Sequence, residues 1–183
     1  MEVYITMKRE FIESINDHPF ERQKAKEEKF DFYIEESFEK KGDCIEGELR
    51  CWKKDNQFCY GSVEVYFNIE KFQKELHAGF GYLEVPLRIA NQGIGKTLML
   101  HVIKVIKKFK EYYSISETVT LTGWLSRADK ENGNWNKAVP LYEKIGKLAE
   151  VECYFTIKDD DQYYTAAEFL EKANIDGGIT YLI

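Results

Sequence analysis

The sequence predicts one α+β domain, residues 1–183, with a mixed, mostly antiparallel sheet and helices packed on it. Three observations predict this. Segments of alternating apolar and polar residues cluster between Cys44 and Val85. A long amphipathic stretch then runs from Gly95 to Tyr113. From Val119 onward, strand-like and helix-like segments take turns to the C-terminus.

Composition fits a single core. Hydrophobic residues make up 44% of the 183 residues, enough for one buried interior and too many for a disordered chain. No repeat or low-complexity segment divides the chain, and Pro19, Pro86 and Pro140 do not gather into a linker. No stretch approaches the roughly 20 apolar residues that span a bilayer. Met1 to Glu10 shows neither an apolar core nor a small-residue cleavage site, so a cytoplasmic protein with no membrane partner is expected. Cys44, Cys51, Cys59 and Cys153 lack C-x-x-C spacing and nearby histidines, so no metal site is expected and strand cysteines read as small hydrophobes. The net charge of −6 lacks the basic footprint of a nucleic-acid binder and suits a cationic substrate.

Element by element, Val3-Tyr4-Ile5 reads as a short strand. Met7, Phe11 and Ile15 mark a helical stripe over 7–16. The charged segment 20–41 fits both periods; Phe30, Ile34 and Phe38 favour a helix there. Cys44 to Trp52 and Phe58 to Phe67 alternate about the turn cluster Lys54-Asp55-Asn56 and read as a hairpin. Ile69 to His77 reads as a short helical connection, and Phe80 to Val85 as a strand closed by Pro86. Leu98, His101, Val102, Val105, Ile106 and Phe109 recur at helical spacing in the clearest helix. Val119 to Leu125 is a strand, Ser126 to Gly133 a polar turn region, and Asn134 to Ile145 a helix with Gly146 as its C-cap. Leu148 to Ile157, Ala166 to Ala173 and Ile179 to Ile183 complete the set as strand, helix and strand. The last strand is a candidate for pairing across a homodimer.

The chemistry-bearing segment is Val85 to Met99. A strand ends at Pro86, a loop holds Gly93 and Gly95, and a long helix follows at once. Glycines let backbone N–H groups approach an anion, the helix N-terminus adds a favourable dipole, and Lys96 adds charge. Gly95-Lys96-Thr97 has the tail of a nucleotide phosphate loop, but the first glycine of that pattern falls on Ala90. A dinucleotide G-x-G-x-x-G is likewise unmet, since Leu98 occupies its last position.

Leu83-Glu84-Val85 followed by Gly93-Ile94-Gly95 and Leu98 resembles the coenzyme A signature Q/R-x-x-G-x-G/A of the GNAT N-acyltransferases. A second segment, Ala138-Val139-Pro140-Leu141-Tyr142-Glu143-Lys144-Ile145-Gly146, resembles that family's A-x-x-L-Y-x-K-x-G. Together the matches cover roughly 78–157. The resemblance implies an α/β sandwich whose sheet is splayed where the donor enters. It implies acetyl-CoA as cosubstrate, with Leu83 and Val85 bonding the pantetheine arm and the amides of Asn91, Gln92, Gly93, Ile94, Gly95 and Lys96 holding the pyrophosphate. It also implies direct attack on the thioester by a primary amine of a small molecule or peptide, with Tyr142 as the acid for the departing thiolate.

Two departures stand out. Ala90 occupies the Arg/Gln slot, which leaves phosphate binding to main-chain amides. Trp135 occupies the family's usual asparagine position, with Asn134 and Asn136 on either side, Asn136 being the one assigned here to the cofactor. The amine's base is sought among strand carboxylates, Glu84 on the strand entering the loop and Glu64 beside it. His101 reads as a structural helix residue. The alternative is a catalytically weak or inactive acyl-CoA-binding module of the same fold.

Overall fold

The computed structural model describes residues 32–41, 44–53, 59–69, 76–86, 93–113 and 115–183. The expected strand at 3–5 and helix at 7–16 lie outside these residues. The described chain runs β1 (Phe32–Lys41), β2 (Cys44–Lys53), β3 (Cys59–Ile69), β4 (Leu76–Glu84), α1 (Ile94–Tyr113), β5 (Thr120–Leu125), α2 (Arg127–Glu131), α3 (Trp135–Ala149), β6 (Glu152–Ile157), α4 (Ala166–Lys172) and β7 (Gly177–Leu182).

All seven strands form one sheet in the order β1-β2-β3-β4-β5-β7-β6. β1 to β4 make an antiparallel meander, β4 and β5 pair in parallel, and β7 is antiparallel to both β5 and β6. The mixed, mostly antiparallel α+β architecture read from the sequence is the one observed.

Segment 32–41 is a strand, not the helix its spacing favoured. Ile34 and Phe38 are buried, and Glu36 between them reaches His101 of α1, so alternate residues of β1 face that helix. Positions four apart share a face in a strand as well as in a helix, so the spacing alone did not decide. Pairing along the whole of β2, from Phe32↔Lys53 to Lys41↔Cys44, did. The presumed helical link over 69–77 is bounded by strand: Ile69 closes β3, while Leu76 and His77 open β4.

α1 packs on β2 and β3. Leu98, Met99, Val102, Ile103, Val105 and Ile106 are buried against Leu49, Cys51, Val63, Val65 and Phe67 of the sheet. Each such side chain taken from water contributes about 1.5–3 kcal/mol, so this stripe anchors the helix. His101 is buried in the same stripe and bonds Glu36 through Nε2, which ties α1 to β1. The alternate residues of β3, Glu64 and Tyr66, project from the opposite face and are exposed.

Later elements also adjust the sequence reading. The turn region 126–133 contains the short helix α2, capped by Ser126, whose Oγ accepts from the Asp129 N–H. α3 does not end at Gly146. It continues to Ala149 and is closed by Glu150 in the left-handed conformation (φ 55°). Gly146 is a glycine because a Cβ there would lie 2.7 Å from the Cβ of Cys153 and 3.2 Å from the carbonyl of Val151. Helix and strand β6 meet backbone to side chain at that point. β6 accordingly begins at Glu152, four residues later than the alternation suggested. β7 lies between β5 and β6, with both edges occupied, so it has no free edge to pair across a dimer.

Candidate active site

The key geometry is where β4 leaves β5. Their pairing runs only from His77↔Thr120 to Phe80↔Gly123. Beyond that point β4 stays with β3 as far as Ser62↔Glu84, and β5 stays with β7 as far as Leu125↔Gly177. The two strands part, and residues 81–84 turn toward the gap a strand edge that has no strand partner among the described residues. Such an edge is a row of backbone donors and acceptors seeking partners.

A bulge assists the parting. Val65 pairs with Phe80 and Val63 with Leu83, so Glu64 alone stands opposite both Gly81 and Tyr82. An extra residue bends and twists its strand and re-aims the side chains beside it. Tyr82 is 77% exposed as a result, while Leu83 turns back toward the core. The carboxylate of Glu64 lies over Gly81, where an added Cβ would meet its Oε2 at 2.8 Å.

The gap is a cleft of about 690 Å³. Phe80, Gly81, Tyr82 and Leu83 form one wall, Trp124, Leu125 and Ser126 the other, and Asp129, Asn134, Trp135, Ala138 and Tyr142 close it from α2 and α3. Trp135, Ala138 and Tyr142 stand at i, i+3 and i+7 of α3, one stripe of that helix. Tyr66, Tyr82 and Trp124, each exposed, stand at its rim.

Tyr142 is the most constrained polar residue of the cleft. Its ring is 8% exposed and packs on Phe80, and its carbonyl accepts a 3.0 Å hydrogen bond from the Tyr181 hydroxyl. Burial, and secondarily the charge of Asp129, push its hydroxyl up to about 12. The phenol therefore holds its proton throughout the neutral range.

At the far end of β4 the chain reaches α1. Gly93 has φ 83°, the left-handed region that glycine enters without a Cβ penalty. The first bond of the helix runs from the Thr97 N–H to the Gly93 carbonyl, which leaves the amides of Ile94, Gly95 and Lys96 without helical partners. No acidic side chain occupies that first turn. Gly95 rests on Leu83 and Val85, so the start of α1 sits directly against the parted end of β4. Asn91 and Gln92 lie outside the described residues, as does Ala90.

The remaining expected residues divide. Asn134 lines the cleft and donates from Nδ2 to Asp129 at 3.2 Å, whereas Asn136, two positions on and about 200° around the helix, is exposed and away from it. Glu84 is exposed at the end of β4, opposite Ser62, and is not among the residues of the cleft. Asp129, Trp124 and the aromatic rim escaped the sequence reading, since no motif places them and only the parting of the strands gathers them. Among the described residues no group of His, Cys, Asp and Glu is arranged to hold a metal ion, and no helix is long and apolar enough to cross a membrane.

No protein-family model matches the sequence, and no curated protein matches it. Solved structures do resemble the fold. Arabidopsis thaliana Naa50 bound to a bisubstrate analogue matches with a TM-score of 0.45 and 17% identity, over 73% of this chain and 70% of that one. Arabidopsis thaliana NAA60 with acetyl-CoA gives 0.46 and 14%, over 78% of each chain. Diaminobutyrate acetyltransferase EctA from Paenibacillus lautus, with its substrate and coenzyme A, gives 0.42 and 8%, over 74% of this chain and 69% of that one. At these values the likeness is one of fold. A seven-stranded mixed sheet, antiparallel first and splayed between two parallel central strands, is the architecture that the resemblance to the GNAT N-acyltransferases implied.

Proposed function

We propose that the chain is a GNAT-type N-acyltransferase that moves an acyl group, acetyl by default, from its coenzyme A thioester to a primary amine held in the same complex. The observation that carries this reading is the parting of β4 and β5 beyond Phe80 and Gly123, with Tyr142 in the gap and α1 beginning at its end.

The residues present fit such a donor. The free edge at 81–84 suits the amides of a pantetheine arm, and the open first turn of α1 suits a pyrophosphate. When bound, the thioester supplies an acyl carbon with a thiolate as leaving group. Backbone amides along the β4 edge suit the charge that develops on the acyl oxygen.

In the transfer a C–N bond forms and the C–S bond breaks. The amine loses its proton to a carboxylate or to water, and the sulfur leaves with the electron pair. Tyr142 meets that charge with its hydroxyl hydrogen. An ordinary thiol titrates at about 8.5, so Tyr142, held near 12, relieves the sulfur mainly by donating a hydrogen bond. Neither Glu64 nor Glu84 lines the cleft, and Glu64 is the better candidate base because its carboxylate lies over Gly81, one of the wall residues. The aromatic rim and Asp129 suit a cationic acceptor.

Calorimetric titration with acetyl-CoA and with ATP, followed by thiol release over a panel of primary amines, tests the reading. The expected result is acetyl-CoA binding and release with at least one amine. Binding of ATP alone would sink it, and acetyl-CoA binding without transfer to any amine supports a binding module instead.

A further inference from the structure

We infer that Tyr181 is a positioning residue for the proposed transfer. Its buried hydroxyl, bonded to the Tyr142 carbonyl, fixes α3 on β7 and so sets where the Tyr142 phenol meets the leaving sulfur. This rests on the function proposed above and names a residue that lies outside both matched segments.

Tyr181 belongs to β7, where it is paired with Leu121 of β5 on one side and Cys153 of β6 on the other. It is fully buried, and its side chain meets α3 at two places one helical turn apart. The ring lies beside Gly146, where an added Cβ would stand 3.6 Å from Cε1, and the hydroxyl donates to the Tyr142 carbonyl at 3.0 Å. Packing does not ask for that hydroxyl. The Tyr142 carbonyl stands inside α3 with the Gly146 N–H as its helical partner, so the bond from Tyr181 is additional to the helix's own ladder. A phenylalanine at 181 would fill the same space without burying a polar group, which costs free energy unless it is bonded. What the hydroxyl adds is a fixed point on the backbone of Tyr142.

The sequence of α3 makes such a point useful. Pro140 stands inside the helix and has no N–H for the Asn136 carbonyl, so the ladder lacks a rung two residues before Tyr142. Helices bend at such prolines, and a bend there would carry Tyr142 with it. Tyr181 fastens the helix just past that gap. From the other half of the parted sheet, Phe80 of β4 holds the ring of Tyr142. The phenol is thus bracketed, at its ring by β4 and at its backbone by β7, across the separation that opens the cleft. Placement matters in the transfer, because a displacement of about 1 Å at a reacting group can cost on the order of a hundredfold in rate.

Tyr181→Phe in the full chain removes the bond and keeps the ring. Thiol release with acetyl-CoA and an accepted amine is expected to show kcat lowered by roughly three- to thirtyfold, with KM for acetyl-CoA changed by less than about twofold. A double-mutant cycle with Tyr142→Phe separates positioning from stability. Once the phenolic hydrogen is gone there is nothing left to position, so in that background Tyr181→Phe is expected to cost less than about twofold in kcat. Equal losses in both backgrounds, or a Tyr181→Phe chain as fast as the parent, overturn this inference and leave the proposed function standing. Loss of the fold in Tyr181→Phe, read by circular dichroism, makes the hydroxyl structural and overturns it likewise. A parent chain that transfers to no amine overturns both.

Discussion

The ring of Tyr142 lies 5.8 Å, centre to centre, from that of Phe80, the last residue at which β4 is still paired with β5. The phenol thus stands at the apex of the wedge between the two strands. In the proposed reaction, an arm laid along the free edge of β4 brings its reactive end to that apex. The contact is also why the hydroxyl is poorly hydrated, and so why it keeps its proton.

Tyr142→Phe keeps the ring contact with Phe80 and removes the hydrogen. Acyl transfer is expected to slow by roughly 10²- to 10⁴-fold in kcat, while acetyl-CoA affinity is little changed. Thiol-release kinetics and calorimetry check the two halves separately. An equal loss of binding would make Tyr142 a structural residue.

The carboxylates make a paired test. Glu64→Gln is expected to lower kcat/KM at neutral pH by roughly tenfold or more, and to flatten the acidic limb of the rate profile. Glu84→Gln, away from the cleft, is expected to leave both nearly unchanged. The reverse order would move the base to the end of β4.

Alkaline pH should unsettle the fold in a specific way. Burial raises Tyr142 from 10.0 to about 12 and Cys153 from 9.0 to about 12, and raises Tyr181 as well. The native state holds these protons more tightly than the unfolded chain does. Their contribution is therefore complete below pH 9 and drains away as pH climbs toward 12. For Tyr142 alone it is on the order of 2–3 kcal/mol. Melting temperatures followed by circular dichroism from pH 7 to 12 should fall above pH 9–10, and less steeply in Tyr142→Phe. Identical slopes would remove Tyr142 from the account.

Gly146→Ala tests the contact between α3 and β6. The new Cβ would crowd Cys153 and the Val151 carbonyl, and overpacking of this kind costs about 1–3 kcal/mol. A fall in melting temperature of roughly 3–10 °C is expected. A stable variant would show that the two elements can slide apart, and that the glycine serves the chain's dynamics instead.

The amino-acid sequence by itself determined what is local. The stripe from Leu98 to Ile106 sets α1, alternation sets β2 and β3, and Gly93 with Gly95 marks the turn into α1, because side-chain period and glycine conformation act over a few residues. Even the motif around Tyr142 is legible, since it is one continuous helical stretch. Tertiary structure decided what depends on partners. Ile34 and Phe38 fit a helix until β2 paired with their segment, and Gly146 fits a helix end until β6 is seen to press against it. The cleft is of this second kind. It exists because β4 bonds β5 for only part of its length, and it gathers Phe80, Trp124, Asp129 and Trp135 from segments that no spacing connects.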